Sequence, residues 1–78
     1  MKFAAIDIGT NAVRLLIKEI KEVDGILDIR KVSFTRVSLR LGEDVFETGK
    51  ISEKKARNLI KVMRAFWYLM DVNEIEWF

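Results

Sequence analysis

The sequence predicts an α/β arrangement: an antiparallel three-stranded β-meander, then one long helix, then the opening of a parallel strand. Counted over this chain alone, that is α+β. Three observations carry the prediction. Short apolar or alternating runs are punctuated by Gly9-Thr10-Asn11 and Asp24-Gly25. A single long stretch with helical periodicity follows Ser52. The sequence then ends on Ile75-Glu76-Trp77-Phe78, an apolar run that reads as a strand beginning.

Each element has its own signal. Lys2 to Ile8 contains the nearly continuous apolar run Phe3-Ala4-Ala5-Ile6, the pattern of a strand buried on both faces. Gly9-Thr10-Asn11 is a turn signal. From Ala12 to Glu22, Val13, Leu15 and Ile17 alternate with Arg14, Leu16 and Lys18, giving a strand with one apolar face. Asp24-Gly25 is a strong hairpin signal.

A third strand is expected from Ile26 to Leu41. Val32 and Phe34 share one parity and Val37, Leu39 and Leu41 the other, so a bulge is expected between Phe34 and Val37. Gly42-Glu43-Asp44 and Thr48-Gly49-Lys50 read as turn and loop. Ser52 is a helix cap, with Glu53 complementing the positive helix end. The helix is expected to run to about Met70. Ala56, Leu59, Ile60, Met63, Trp67 and Met70 lie on one face, and Val62, Phe66 and Leu69 widen it beyond what three strands cover.

Composition narrows the chemistry. Seventy-eight residues form one domain at most. There is no cysteine and no histidine, so thiolate metal sites and the usual neutral-pH base are excluded. Fourteen basic residues against twelve acidic ones, interleaved, describe a solvated surface and do not argue for nucleic acid. No signal peptide or membrane-length apolar run is present, which points to the cytoplasm.

The turn after the first strand is the candidate site. A tight Gly-Thr-Asn turn gathers backbone amides, a hydroxyl and an amide side chain around a concavity suited to an anionic oxygen. Gly9 is expected to allow close approach and a positive φ. Asp7 would repel phosphate unless Mg²⁺ or its water shell lay between them. Arg14 could reach an anion or pair with an acid. An ordinary hairpin turn explains the same residues. Phe66 and Trp67 read as core or interface rather than a base-stacking platform. Glu43, Asp44 and Glu47 read as a solvated loop rather than a cation site.

Ala5-Ile6-Asp7-Ile8-Gly9-Thr10-Asn11-Ala12-Val13-Arg14 resembles the first hairpin of the exopolyphosphatase/guanosine pentaphosphate phosphohydrolase (Ppx/GppA) family. Arg40-Leu41-Gly42-Glu43 with Thr48-Gly49-Lys50-Ile51-Ser52 resembles that family's next stretch and helix start. The resemblance covers essentially the whole chain but a quarter or less of the family's usual length, so an amino-terminal fragment is expected. It implies an RNase H-like/actin-like ATPase half-domain, shared with actin, the Hsp70 chaperones and the sugar kinases.

It also implies phosphoanhydride hydrolysis of polyphosphate or guanosine pentaphosphate with Mg²⁺. The phosphate-binding residues would be Gly9, Thr10, Asn11 and Arg14, with Asp7 near the metal through water. Arg40 and Glu43 would lie near the cleft without an assigned role. Ala12 departs from the family's usual Ser or Thr and removes a hydroxyl donor. The family's catalytic glutamate lies further along, so no catalytic residue is assigned here. The alternatives are a small homo-oligomeric binding or assembly module and a sugar or acetate kinase fragment. Self-association is expected from the wide apolar helix face and the unfinished strand.

Overall fold

A computed structural model describes residues 1–75. It contains β1 (Lys2–Ile8), β2 (Ala12–Val23), β3 (Ile26–Ser38), α1 (Leu41–Thr48) and α2 (Glu53–Val72). The strands form one antiparallel sheet in the order β1-β2-β3. The further strand expected over Ile75–Phe78 falls, beyond Ile75, outside the described residues.

Strand β2 is central, and its alternation builds the core. Val13, Leu15 and Ile17 point to one face and are wholly buried. Ala4 lies opposite Ile17 in register, and Ile6 opposite Leu15. Helix α2 covers this face with Phe66 and Met70, flanked by Leu59, Val62 and Met63. Phe66 is 1% exposed and is the largest fully buried side chain among the described residues. Burying it contributes about 1.5–3 kcal/mol. The helix stripe is therefore centred on Phe66. Ile60 and Trp67, placed on the core face by periodicity, lie at its margin and are exposed.

β1 is not buried on both faces. Ala5, Asp7 and Ile8 are exposed. α2 covers one side of the sheet, so alternate residues of β1 face solvent whatever their hydropathy.

The hairpin at Asp24-Gly25 forms as expected, with both residues at positive φ (52° and 77°). This is the geometry that matches the twist of flanking strands. The irregularity in β3 lies elsewhere than expected. Ile17 pairs with Ser33 and Lys18 with Lys31, so Val32 is the extra residue. Ser33, Thr35 and Val37 then alternate inward without a break, while Phe34 stands half-exposed on the outer face. Polar Ser33 and Thr35 hid that alternation from a hydropathy pattern.

β3 also ends at Ser38, three residues early. Arg40 adopts the left-handed conformation, φ 53° and ψ 47°, and turns the chain into α1. The segment expected to be turn and loop is a two-turn helix. Glu43 and Asp44 occupy its first turn, where they complement the helix dipole. Gly49, at φ 74°, ends it by donating its N–H to the carbonyl of Val45. The cap of α2 is as expected: the Ser52 hydroxyl accepts from the Lys55 N–H at 3.2 Å. Asn73 closes the other end, its side-chain amide donating to the Leu69 carbonyl at 2.7 Å.

Candidate functional site

The site is made where the β1–β2 turn meets the start of α1. The Gly9 N–H donates to the Ala12 carbonyl at 2.9 Å and closes the turn. Gly9 does not adopt the positive φ expected of it. Its need is for space: a Cβ there would stand 3.2 Å from the Ala12 carbonyl oxygen.

Three backbone hydrogen bonds then stitch the turn to the chain leaving β3. The N–H groups of Leu39 and Arg40 both donate to the Asn11 carbonyl, at 3.1 and 2.8 Å. The Gly42 N–H donates to the Thr10 carbonyl at 2.7 Å. Gly42 is buried, and a Cβ there would meet the Thr10 Cβ at 2.9 Å. Only glycine lets α1 start this close to the turn.

Arg40 sits at the crossing. A non-glycine residue in the left-handed region costs roughly 1–2 kcal/mol, so it persists only where its surroundings over-determine it. Here they do. Its N–H bonds to Asn11, and its carbonyl accepts from Glu43 N–H at 3.2 Å and Lys55 Nζ at 2.7 Å. Its guanidinium reaches Glu43 Oε1 at 3.3 Å.

Lys55 organises the acids behind this crossing, standing 3.4 Å from Glu43 and 3.2 Å from Asp44. The Ser52 N–H donates to Asp44 Oδ2 at 2.9 Å. That hydrogen bond, helped by Lys55, holds the Asp44 carboxyl below its ordinary range. The three acids read as a solvated loop are thus divided in role: Glu43 and Asp44 brace α1 against α2. Among the described residues no group of three or more potential metal ligands gathers.

The result is an open concavity of about 310 Å³ lined by Thr10, Asn11, Arg40, Gly42, Glu43 and Phe46. The positive end of α1 faces the same turn through Gly42. Beside it lies a more apolar hollow of about 370 Å³, whose walls include Ile8, Gly9, Leu41, Val45 and Ile51. Thr10, Gly42 and Phe46 line both.

Four residues singled out from sequence, Thr10, Asn11, Arg40 and Glu43, therefore share one concavity, with Gly9 at its flank. Arg14 and Asp7 do not line it. They face each other across β1 and β2, with Arg14 Nη1 3.3 Å from Asp7 Oδ2, and both are substantially exposed. Gly42, Phe46 and Lys55 were not singled out. Gly42 lies inside the Arg-Leu-Gly-Glu stretch and could have been flagged as a close-approach glycine. Phe46 and Lys55 owe their positions to α1, which the local pattern did not reveal.

No family model matches the chain. Three solved structures of the Aquifex aeolicus Ppx/GppA protein do resemble it.

 The first two are each 36% identical to it, with a TM-score of 0.84, and cover 99% of this chain and 24% of the solved one. The third is 35% identical over the same shares, also with a TM-score of 0.84. A bifunctional 3-dehydroquinate synthase/phosphatase of Fusobacterium nucleatum is 31% identical over 74 residues, which is 94% of this chain and 11% of that protein. The chain thus spans about a quarter of the length of the solved relatives and about a ninth of the curated one. Its meander and helices match the amino-terminal half-domain of the actin-like fold in those structures.

Proposed function

We infer that this chain, which carries the amino-terminal half-domain of the Ppx/GppA fold, forms the phosphate-holding wall of a phosphoanhydride hydrolase. The substrate is inorganic polyphosphate, losing its terminal phosphate, or guanosine pentaphosphate, converted to the tetraphosphate. One observation carries the reading: the Gly9–Asn11 turn is clamped to a strained Arg40, and both open onto one concavity. Thr10 and Asn11 supply a hydroxyl and an amide there, and Arg40 a cation able to grip two oxygens. Gly9 keeps the turn tight beside them. Arg14, on an exposed side chain, joins them by leaving Asp7.

Asp7 fits an outer role towards Mg²⁺. It is a carboxylate at the strand end, ion-paired to Arg14 and with its side chain 66% exposed, and Mg²⁺ characteristically keeps waters and substrate oxygens among its ligands. When bound, the ion would neutralise charge on the transferring phosphoryl group. The chain's own residues bind and orient the anion. They do not activate water: Glu43, the carboxylate lining the concavity, is held in ion pairs with Arg40 and Lys55. The chain alone is therefore expected to bind and not turn over.

The same reading places the protein in the cytoplasm and gives it no nucleic-acid or membrane partner. No helix among the described residues is long and apolar enough to cross a membrane. It also includes self-association, supported by the exposed Trp67, Tyr68 and Val72 on α2. The test is equilibrium binding of tripolyphosphate to the purified chain. Saturable binding that weakens about tenfold or more in Arg40→Ala is expected, without phosphate release. Binding indifferent to Arg40 would sink the reading.

A further inference from the structure

The guanidinium of Arg40 already has a partner. Its Nη1 donates to Glu43 Oε1 at 3.3 Å, with both side chains more than half exposed. The other oxygen of the same carboxylate, Oε2, accepts from Lys55 Nζ at 3.4 Å. One carboxylate therefore spans two cations, and both it and Arg40 line the concavity. The two ends are held unequally. The contact to Arg40 is longer than the roughly 2.7–2.9 Å of a good charge-assisted hydrogen bond. Lys55 stands deeper, its side chain 20% exposed, and spreads its ammonium over three acceptors: the Arg40 carbonyl at 2.7 Å, Asp44 Oδ1 at 3.2 Å and Glu43. An ammonium has only as many donors, so Lys55 has none left for an incoming anion. It is also anchored, because the carbonyl it grips belongs to the Arg40 backbone that Asn11 fixes.

An anion entering the concavity thus meets a cation already taken and a carboxylate of its own sign beside it. Resting on the reading of the concavity as a phosphate site, we propose that Glu43 is an internal competitor for Arg40. Lys55 is then the positioning residue that keeps Glu43 when an anion takes Arg40 away. Arg40 exchanges one carboxylate oxygen for two phosphate oxygens, which its planar fork matches. Glu43 stays paired through Oε2, and its charge is drawn off the anion. Loss of Lys55 has two consequences: Glu43 grips Arg40 alone, and its uncompensated charge faces the phosphate. Both consequences need a charged Glu43. A Lys55 that only propped the Arg40 backbone, or only added positive potential, would be missed whether or not Glu43 were charged.

The test is a double-mutant cycle on tripolyphosphate affinity, using Glu43→Gln, Lys55→Met and the two combined in the full 78-residue chain. Circular dichroism verifies that each variant retains its fold, and Lys55→Arg is a second variant that keeps the charge. Glu47→Gln removes an acid from the same helix at a residue outside the concavity, and so subtracts the general effect of net charge. Exposed ion pairs are weak, so changes of about two- to fivefold are expected. Glu43→Gln tightens binding by that factor relative to Glu47→Gln. Lys55→Met weakens it by that factor, Lys55→Arg keeps it, and the double variant binds as tightly as Glu43→Gln alone. Equal weakening by Lys55→Met with and without Glu43 overturns the exchange. A Glu43→Gln chain that binds no tighter than Glu47→Gln overturns it as well. Either result, with affinity still lost in Arg40→Ala, leaves the phosphate site standing. Binding by none of the chains overturns both.

Discussion

Gly42→Ala tests how tightly α1 is held to the phosphate turn. The added methyl would stand 2.9 Å from the Thr10 Cβ and 3.3 Å from the Thr10 carbonyl oxygen. Neither is the loose end of a flexible side chain: one is a β-branched carbon next to the backbone and the other is backbone. Turn and helix must part. Overpacking of this kind costs about 1–3 kcal/mol. Parting also strains the 2.7 Å hydrogen bond from Gly42 N–H to Thr10, worth about 1 kcal/mol. Alanine's better helix propensity returns up to about 1 kcal/mol. The net destabilisation is about 1–3 kcal/mol, or a melting temperature lower by about 4–24 °C for a domain of this size. Thermal unfolding followed by circular dichroism reads it directly. Tripolyphosphate affinity should fall in the same variant, since Thr10 and Arg40 are no longer held together. An unchanged or raised melting temperature would refute the close approach.

Ser52→Ala removes the cap of α2 and should cost about 1 kcal/mol in chemical denaturation, with Gly at the same position costing less. Asp44 predicts a pH dependence. Its folded pKa is depressed by the Ser52 N–H and then by Lys55, so its stabilisation is present above the unfolded carboxyl value of about 3.9 and lost as pH falls through the folded value. Asp44→Asn should be less stable than the native chain near neutral pH and should lose less on acidification from about pH 5 to 3. Parallel acid limbs for the two chains would remove Asp44 from the brace.

The parts of the fold set by local signals were readable from sequence. The alternation of Val13, Leu15 and Ile17, the Asp24-Gly25 hairpin and the Ser52 cap depend on neighbours within a few residues, and each stands where the pattern put it. What was misread depends on distant partners. α1 is held by Asn11, Thr10, Ser52 and Lys55 from other parts of the chain, and a Gly-Glu-Asp run looks like a turn without them. The bulge at Val32 follows the register set by β2. At the site, Gly9, Thr10 and Asn11 were visible as a turn, and Arg40 and Glu43 as a resemblance. That these segments touch could not be read from spacing alone, and neither could the arrival of Phe46 beside them.

The most direct measurement is a nuclear magnetic resonance titration of the isotopically labelled chain with tripolyphosphate. Saturable shifts concentrated at the amides of Thr10, Asn11, Leu41 and Gly42 and at the Arg40 guanidinium are expected, absent or much reduced in Arg40→Ala. Shifts spread over the lysines of α2, or none at the turn, would contradict a phosphate-holding wall built from Gly9–Asn11 and Arg40.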